Sequence, residues 1–498
     1  MKQMPFVFSG AGRGRRFPAI MALVVLGTCL FAALPGAEEF DLLQTKAKVG
    51  EVEAQLQLGR KYYQGEGVPQ NFTEAYRWFA KAAEQGNAVA QYHLGKMYAN
   101  GSGLLRDDAE AVGWYRRAAE QGYADAQYDL GSMYGNGRGV LRDEAEAAAW
   151  YRKAAEQGHA EAQYDLGVMY VNRRGGLGSD RDAARWFRKA AEQGHAEAQH
   201  DLGYLYHSGR GVPRDFVEAV RWYRRAAEQG YADAQNKLGL MYHAGQGTAQ
   251  NFSEALKWLK QAAAKNNAAA QFNLGGIYAS GIGVERDEAE AVKWYEKSAE
   301  QGHAGARYSL GVMYDEGRGV PQNDAEAYRW YRMAADQGYA AAQTNIGILY
   351  FTGRGVSRDY AEAGKWFRKG AEQGDPAAQT NLAYLYSNGL GLPKDLTEAA
   401  KWYRKAAESD NSEAQNSLGS FYERGTGVPR DYLEAAKWYR KAAEQENAEA
   451  INNLGRLYEN GRGVPQDVGE ALRLYKRAAN LGSIPGRENS ERLESPNP

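Results

Sequence analysis

Seven histidines are the residues of this 498-residue chain that most readily suggest chemistry, and four of them, His195, His200, His207 and His243, fall close together in sequence. A metal site needs imidazole nitrogens converging at about 2 Å from one ion. His200 and His207 are about two helical turns apart, on the order of 10 Å, and His207 and His243 are equivalent positions in successive copies of a repeat. No His-Glu-x-x-His occurs, so the expected role of these histidines is to face solvent or a partner. Gly-x-Gly turns abound, but none extends to Gly-x-Gly-x-x-Gly after a strand, and there is no Gly-Lys-Ser/Thr to hold a nucleotide phosphate. Ser-x-x-Lys and Gly-x-Ser-x-Gly, the settings of two serine nucleophiles, are absent. Paired carboxylates recur in every copy and are expected to be caps and surface charges, since a catalytic pair would break the symmetry. The basic ridge of Arg77, Lys81, Arg116, Arg117, Arg152 and Lys153 is flanked by acids such as Glu74 and Glu84, which predicts a solvated, charge-balanced helix face. The expectation is a chain with no catalytic residue, no cofactor and no metal.

The elements behind these residues are helical and periodic. A period of 36 residues repeats twelve times from Glu51 to Gly482 without insertion or deletion. Ala54, Tyr62 and Ala75 recur unchanged in all twelve copies, and all eleven Trp occupy the position of Trp78, with Leu474 in the last copy. Within a copy, Ala54, Leu58 and Tyr62 step by four along a first helix. Gly59 borders that face in eleven copies; it costs roughly 1 kcal/mol of helix propensity, so a neighbouring backbone or ring should press against it. Gly65-x-Gly67-Val68-Pro69 turns the chain back, and Asn71 with Glu74 forms a capping box for a second helix. That helix carries Ala75, Trp78, Phe79, Ala82 and Ala83 as one stripe and ends at Gly86. One helix pair cannot bury such a stripe, so adjacent copies must share a core.

The chain's 61 Lys+Arg against 62 Asp+Glu argue against a nucleic-acid binder. Residues 1–37 read as a signal peptide: Lys2, Arg13, Arg15 and Arg16 precede the apolar run Ala19 to Leu34 and Pro35-Gly36-Ala37. The run is too short to span a bilayer, so cleavage near Ala37 is expected, with no membrane span afterwards and a periplasmic or secreted product. Cys29, the only cysteine, lies inside the leader; Leu26-Gly27-Thr28-Cys29 only loosely fits an acylation box. Residues 38–50, with Phe40, Leu43 and Ala47, match the second helix of a missing copy and should cap the stack. The twelve copies at 51–482 should form one solenoid, and 483–498 should be a weak cap or disordered.

The run Ala126-Gln127-Tyr128-Asp129-Leu130-Gly131, the turn Gly137-Arg138-Gly139-Val140, and Glu146-Ala147 followed by Trp150-Tyr151-Arg152-Lys153-Ala154-Ala155-Glu156-Gln157-Gly158 resemble the Sel-one-like repeat, a relative of the tetratricopeptide repeat. The resemblance implies an all-α fold, an α/α superhelical solenoid of twelve 36-residue helix-turn-helix repeats with first helices on the concave side. It also implies an adaptor or scaffold in protein complexes, with bacterial relatives in host interaction, envelope assembly or signalling. A secreted branch with one disulfide per repeat is excluded as a template, because no Cys follows residue 37.

The positions that the repeat leaves free are the equivalents of 56, 60 and 63 on the first helix. Only Arg60, Lys96, Asp315, Glu423, Arg456 and Glu459 are charged there, and nine are Phe or Tyr. Few charges and many rings suit a protein-binding groove. Tyr92, Tyr128, Tyr164 and Tyr308 share one position and fit packing or binding equally. Tyr204, His207, Leu240, His243, Ile348, Phe351 and Tyr384 follow no consensus and are the expected partner-binding residues. The functional expectation is a monomeric, non-enzymatic scaffold for a protein or peptide; the alternatives are an envelope, polysaccharide or secretion scaffold and, more distantly, a hydrolase. In the fourth copy, Asn172-Arg173-Arg174-Gly175-Gly176-Leu177-Gly178 departs from the turn pattern, with Arg173 in place of a glycine.

Overall fold

The computed structural model describes residues 37–495, so the expected leader lies outside the described residues except for Ala37, where the first helix begins. The described chain contains 26 helices and no strand. It divides into two compact units, one ending at Gln157 and one beginning at Gly158. In both, each copy supplies two antiparallel helices of 12 or 13 residues, such as Val52–Gln64 and Phe72–Glu84 in unit 1, or Ala196–Ser208 and Phe216–Glu228 in unit 2.

The turn is built as the glycines require. Gly65 caps the first helix at φ 77 and Gly86 follows the second at φ 88, both left-handed. Four residues that replace such glycines, Arg173, Asn266, Asp410 and Glu446, hold the same positive φ of 56 to 63. The backbone geometry therefore survives the substitution, and strain is stored there instead. The glycine between them has a second reason to recur. A Cβ on Gly139 would lie 2.1 Å from the carbonyl oxygen of Asp108 in the preceding copy, whereas one on Gly67 would meet nothing within 4 Å. Close approach of backbones between copies thus excludes any side chain at Gly139. Gly59 answers to a ring: its Cβ would stand 2.6 Å from Cδ1 of Phe79.

Asn71 caps the second helix by accepting from the N–H of Thr73 and Glu74 at 3.1 and 3.0 Å. The reciprocal half of the expected capping box is replaced. The N–H of Asn71 donates to the carbonyl of Tyr62 at 2.9 Å, tying the turn shut, and Glu74 is left to pair with Arg77 at 2.7 Å.

The core is shared between copies. In unit 1, Trp150 packs with Ala111, Tyr115 and Ala118 of the preceding copy and with Leu130 of its own. In unit 2, Trp222 does the same with Ala183, Phe187, Ala190 and Leu202. A polar ladder runs through this core that the apolar pattern did not announce. Gln91 donates from Nε2 to the carbonyl of Ala83 one copy back at 3.2 Å and accepts from Gln121 at 2.7 Å. The same pair recurs in unit 2 as Gln199 to Ala191 and Gln229 to Gln199, at 3.0 and 2.8 Å. Burying the amide is tolerated because both its ends are bonded.

Salt bridges follow the same offset. Arg138 bonds Asp108 in unit 1, and in unit 2 Arg210 bonds Asp180, Arg318 bonds Glu288 and Arg354 bonds Asp324. At the ends, Ala37–Lys48 lies against the first copy, where Phe40, Leu43 and Ala47 cover Leu58 and Trp78. Of residues 483–498, Ile484–Glu494 form a helix that seats Gly486 on Ala478.

Candidate protein-binding site

The seven residues expected to face a partner lie on first helices of unit 2, and the structure divides them. Tyr204 and Tyr384 are open, with relative exposures of 41% and 46%. Leu240 and Ile348 are half-buried, as are the rings of His207, His243 and Phe351. Those three rings turn toward the start of the second helix in their own copy. His207 meets Phe216 at 5.4 Å, His243 meets Phe252 at 5.3 Å, and Phe351 meets Tyr360 at 5.2 Å. Position 63 is therefore an intra-copy ring contact first, and its outer edge is what a partner could reach.

Two groups emerge. Ile348 and Phe351 pack on the core around Leu382 and Leu385 of the next copy, and Phe351 meets Tyr384 edge to face at 6.0 Å. Together they present an apolar ledge with one exposed ring. Tyr204 instead closes a cleft of about 280 Å³ with Tyr164, Val168, Val171 and Asp201. Tyr164 donates its hydroxyl to Asp201 at 3.3 Å, and burial pushes its phenol above the ordinary tyrosine range.

The tyrosine column at position 56 is an inter-copy packing column. Tyr308 lies between Tyr331 of its own copy and Tyr339 of the next, at 5.8 and 5.0 Å, and Tyr164 lies between Phe187 and His195. In unit 1, Tyr92 lies between Tyr115 and Tyr123.

The histidines correct one expectation, since their rings are packed rather than solvated. His159, His195 and His303 cap first helices, their Nδ1 accepting from the N–H three residues on at 3.1 to 3.2 Å. His195 Nε2 also bonds Glu161 at 2.8 Å. In unit 1, His93 stacks flat on Phe79 at 4.7 Å and accepts from Arg60 Nε at 3.4 Å. A ring that fills a cap or stacks on a core aromatic gains more than it loses in hydration. Sequence spacing missed this because capping by His at position 51 has no consensus. Among the described residues, no three His, Cys, Asp or Glu side chains are placed to hold a metal ion, and no helix is long and apolar enough to cross a membrane.

The basic ridge is tied down twice. Pairs three residues apart, such as Arg221 with Glu218 and Lys401 with Glu398, balance its charge. In several copies a second arginine reaches the tyrosine hydroxyl of the next, as Arg116 to Tyr134 at 2.5 Å and Arg224 to Tyr242 at 2.7 Å. These are structural contacts between copies that the sequence reading did not foresee. In the divergent fourth copy, Arg173 takes the glycine's left-handed conformation.

Comparison with known proteins places the repeat. The Sel1 repeat matches twelve consecutive times, from 52–87 to 448–483. The secretory immunoglobulin A-binding protein EsiB of Escherichia coli is 41% identical over 66 residues. That match covers 13% of this chain and 14% of EsiB, about a seventh of the curated relative's length. The crystal structure of c5321, a protective antigen present in uropathogenic E. coli strains with an SLR fold, superimposes with a TM-score of 0.71 at 38% identity. It covers 92% of this chain and 98% of that one. A Sel1 repeat protein from Oxalobacter formigenes is 37% identical over 62% of this chain and 89% of its own, with a TM-score of 0.48. Sel1 repeat proteins are in general non-catalytic scaffolds for protein interaction. With twelve matched copies packed as helical pairs, this chain belongs to the Sel1 repeat family.

Proposed function

We propose that this chain is an exported, monomeric, non-enzymatic scaffold that binds a partner protein or peptide on the first-helix face of unit 2, which the family resemblance makes the concave groove. The observation that carries the reading is the ledge of Ile348, Phe351 and Tyr384, where a ring 46% exposed stands on side chains already anchored in the core. Anchored aromatic residues contribute binding energy at low entropic cost, because little side-chain freedom remains to be lost. Tyr204 over its small cleft offers a second anchor. The likeness to an immunoglobulin-binding protein and to a protective antigen supports a partner met outside the cytoplasm, as does the basic leader and apolar run within residues 1–37.

The test changes Tyr204, Leu240, Ile348, Phe351 and Tyr384 together to Ser and captures partners from host secretions and from cell envelope. Loss of capture with the melting curve close to wild type supports the groove. Equal capture, or greater loss on Arg224→Glu with Arg225→Glu, moves the site to the second helices. N-terminal sequencing of the exported protein tests processing near Ala37; an intact Met1 on cytoplasmic protein refutes export.

A further inference from the structure

The first-helix position of Arg60 carries a cation in four places, and their surroundings differ. In unit 2, Arg456 Nη2 lies 2.6 and 2.8 Å from the two carboxylate oxygens of Glu423 in the preceding copy, and Arg492 bonds Glu459 at 2.8 Å. A tyrosine hydroxyl completes each site: Tyr439 donates to Glu423 at 2.8 Å and Tyr475 to Glu459 at 2.6 Å. The repeat thus builds a carboxylate-binding position and fills it with a side chain of its own.

In unit 1 a cation stands at the same position without its acid, and without the hydroxyl too, since Phe79 stands where Tyr439 and Tyr475 donate. Tyr63 stands where Glu423 and Glu459 stand, turned edge-on to Phe72 at 5.3 Å. Lys96 Nζ consequently lies 5.5 Å over the Tyr92 ring instead of on a carboxylate. Among the described residues, Arg60 has only the neutral His93 Nε2 as acceptor. Burial first, and then the charges of Arg60 and Lys96, push the His93 imidazole down to about 4, so it adds no positive charge and relieves none. Around these cations opens a cleft of about 770 Å³, lined also by Lys61, Tyr63, Tyr92 and Tyr123. Of the acids that line it, Asp125 accepts from the Tyr123 hydroxyl at 3.0 Å, and Glu39 and Glu66 are exposed.

We propose that this unit 1 cleft binds a Glu or Asp side chain of an acidic peptide segment, which pairs with Arg60 and Lys96 as Glu423 and Glu459 pair with Arg456 and Arg492 in the later copies. A charge-assisted bond between a guanidinium or ammonium and a carboxylate is short and strong, and here the cations are held by helices beforehand. The tyrosine wall gives the neighbouring residues of the peptide a surface for apolar contact. The site is independent of the unit 2 ledge.

The test is fluorescence anisotropy of a labelled alternating Glu-Gly peptide with the full chain at low salt, against the corresponding Gln-Gly peptide. The expected result is at least about fivefold tighter binding of the Glu peptide. Lys96→Glu and Arg60→Glu should each remove that preference. Tyr63→Glu should do the same by restoring the internal carboxylate beside Lys96, while the distant surface variant Arg473→Glu leaves it unchanged. Lys96→Glu is the decisive variant if Tyr63→Glu unfolds. The proposal is overturned by equal binding of the Gln peptide, by an unchanged preference in Lys96→Glu, or by equal loss in Arg473→Glu. Displacement by inorganic phosphate at lower concentration than by acetate also overturns it. The five-Ser variant of unit 2 should retain this peptide binding; its loss there would assign the peptide to the ledge and refute the cleft while leaving the groove reading intact.

Discussion

Ser409 interrupts the buried glutamine ladder, and restoring the ladder should stabilise the protein. The Oε1 atoms of Gln235 and Gln379 are buried without a partner, in two copies where the donor glutamine is replaced, by Lys265 and Ser409. In the twelfth copy both partners are exchanged, to Ile451 and Leu481, removing the polar pair altogether. Ser409→Gln should bond Gln379 as Gln445 bonds Gln415 at 2.9 Å, because the two backbones match at φ -92, ψ 24 and φ -93, ψ 18. An unpaired buried carbonyl costs about 1 to 3 kcal/mol, and ordering a glutamine costs up to about 2 kcal/mol. The expected gain is therefore about 1 kcal/mol, read as a rise in the urea midpoint at constant slope. The converse change, Gln229→Ser, should cost about 1 to 3 kcal/mol by stranding Gln199 Oε1. Gln199→Ile with Gln229→Leu, copying the twelfth copy, should recover most of it. If Gln229→Ser is neutral, or Ser409→Gln leaves the midpoint unmoved, the ladder carries no stability and water already satisfies those carbonyls.

Trp222→Ala should cost roughly 3 to 5 kcal/mol, and hydrogen exchange should loosen helices of both the fourth and fifth copies, since the indole packs on both; loss confined to the fifth would refute a shared core. Glu446→Gly should raise stability by about 1 kcal/mol in denaturant melts, because it relieves a φ of 62 at a position where nine other copies have glycine. For His93 the folded pKa of about 4 lies below its ordinary value. The folded state therefore binds fewer protons, and stability falls as pH drops from about 6.5 toward 4 by up to about 3 kcal/mol. His93→Gln should flatten that part of the unit 1 stability profile, and an unchanged slope would show that the ring is not held neutral.

Much of the fold was legible because its causes are local and repeated. Gly59 signalled a ring pressed against it, and Phe79 is that ring. The stripe from Ala75 to Ala83 required neighbouring copies, and the eleven tryptophans recur where those copies meet. The site was less legible. Tyr204 and Tyr384 are open as expected, but His207, His243 and Phe351 sit at a position whose ring contact lies within the copy, at Phe216, Phe252 and Tyr360. A missing consensus marks freedom from the repeat's own packing; it does not distinguish a partner's contact from a private pairing with another variable position. One such signal was present and unread, in that Asp108, Asp180, Glu288 and Asp324 each precede an arginine by 30 residues.

By itself the sequence determined the helix pair, its caps and turns, and the need to stack, because propensity, capping and amphipathic period act within about ten residues and leave a mark in every copy. Tertiary structure alone decided what meets across copies. It placed Asp108's carbonyl against Gly139, closed the glutamine ladder in the copies that keep both glutamines while leaving Gln235 and Gln379 open, and made caps of His159, His195 and His303. It also gave Arg456 a carboxylate and left Lys96 over a ring. Each of these depends on which side chain stands opposite once the copies stack. That opposition is set by packing of rigid helices at a distance of 30 or more residues, where local propensity has no reach.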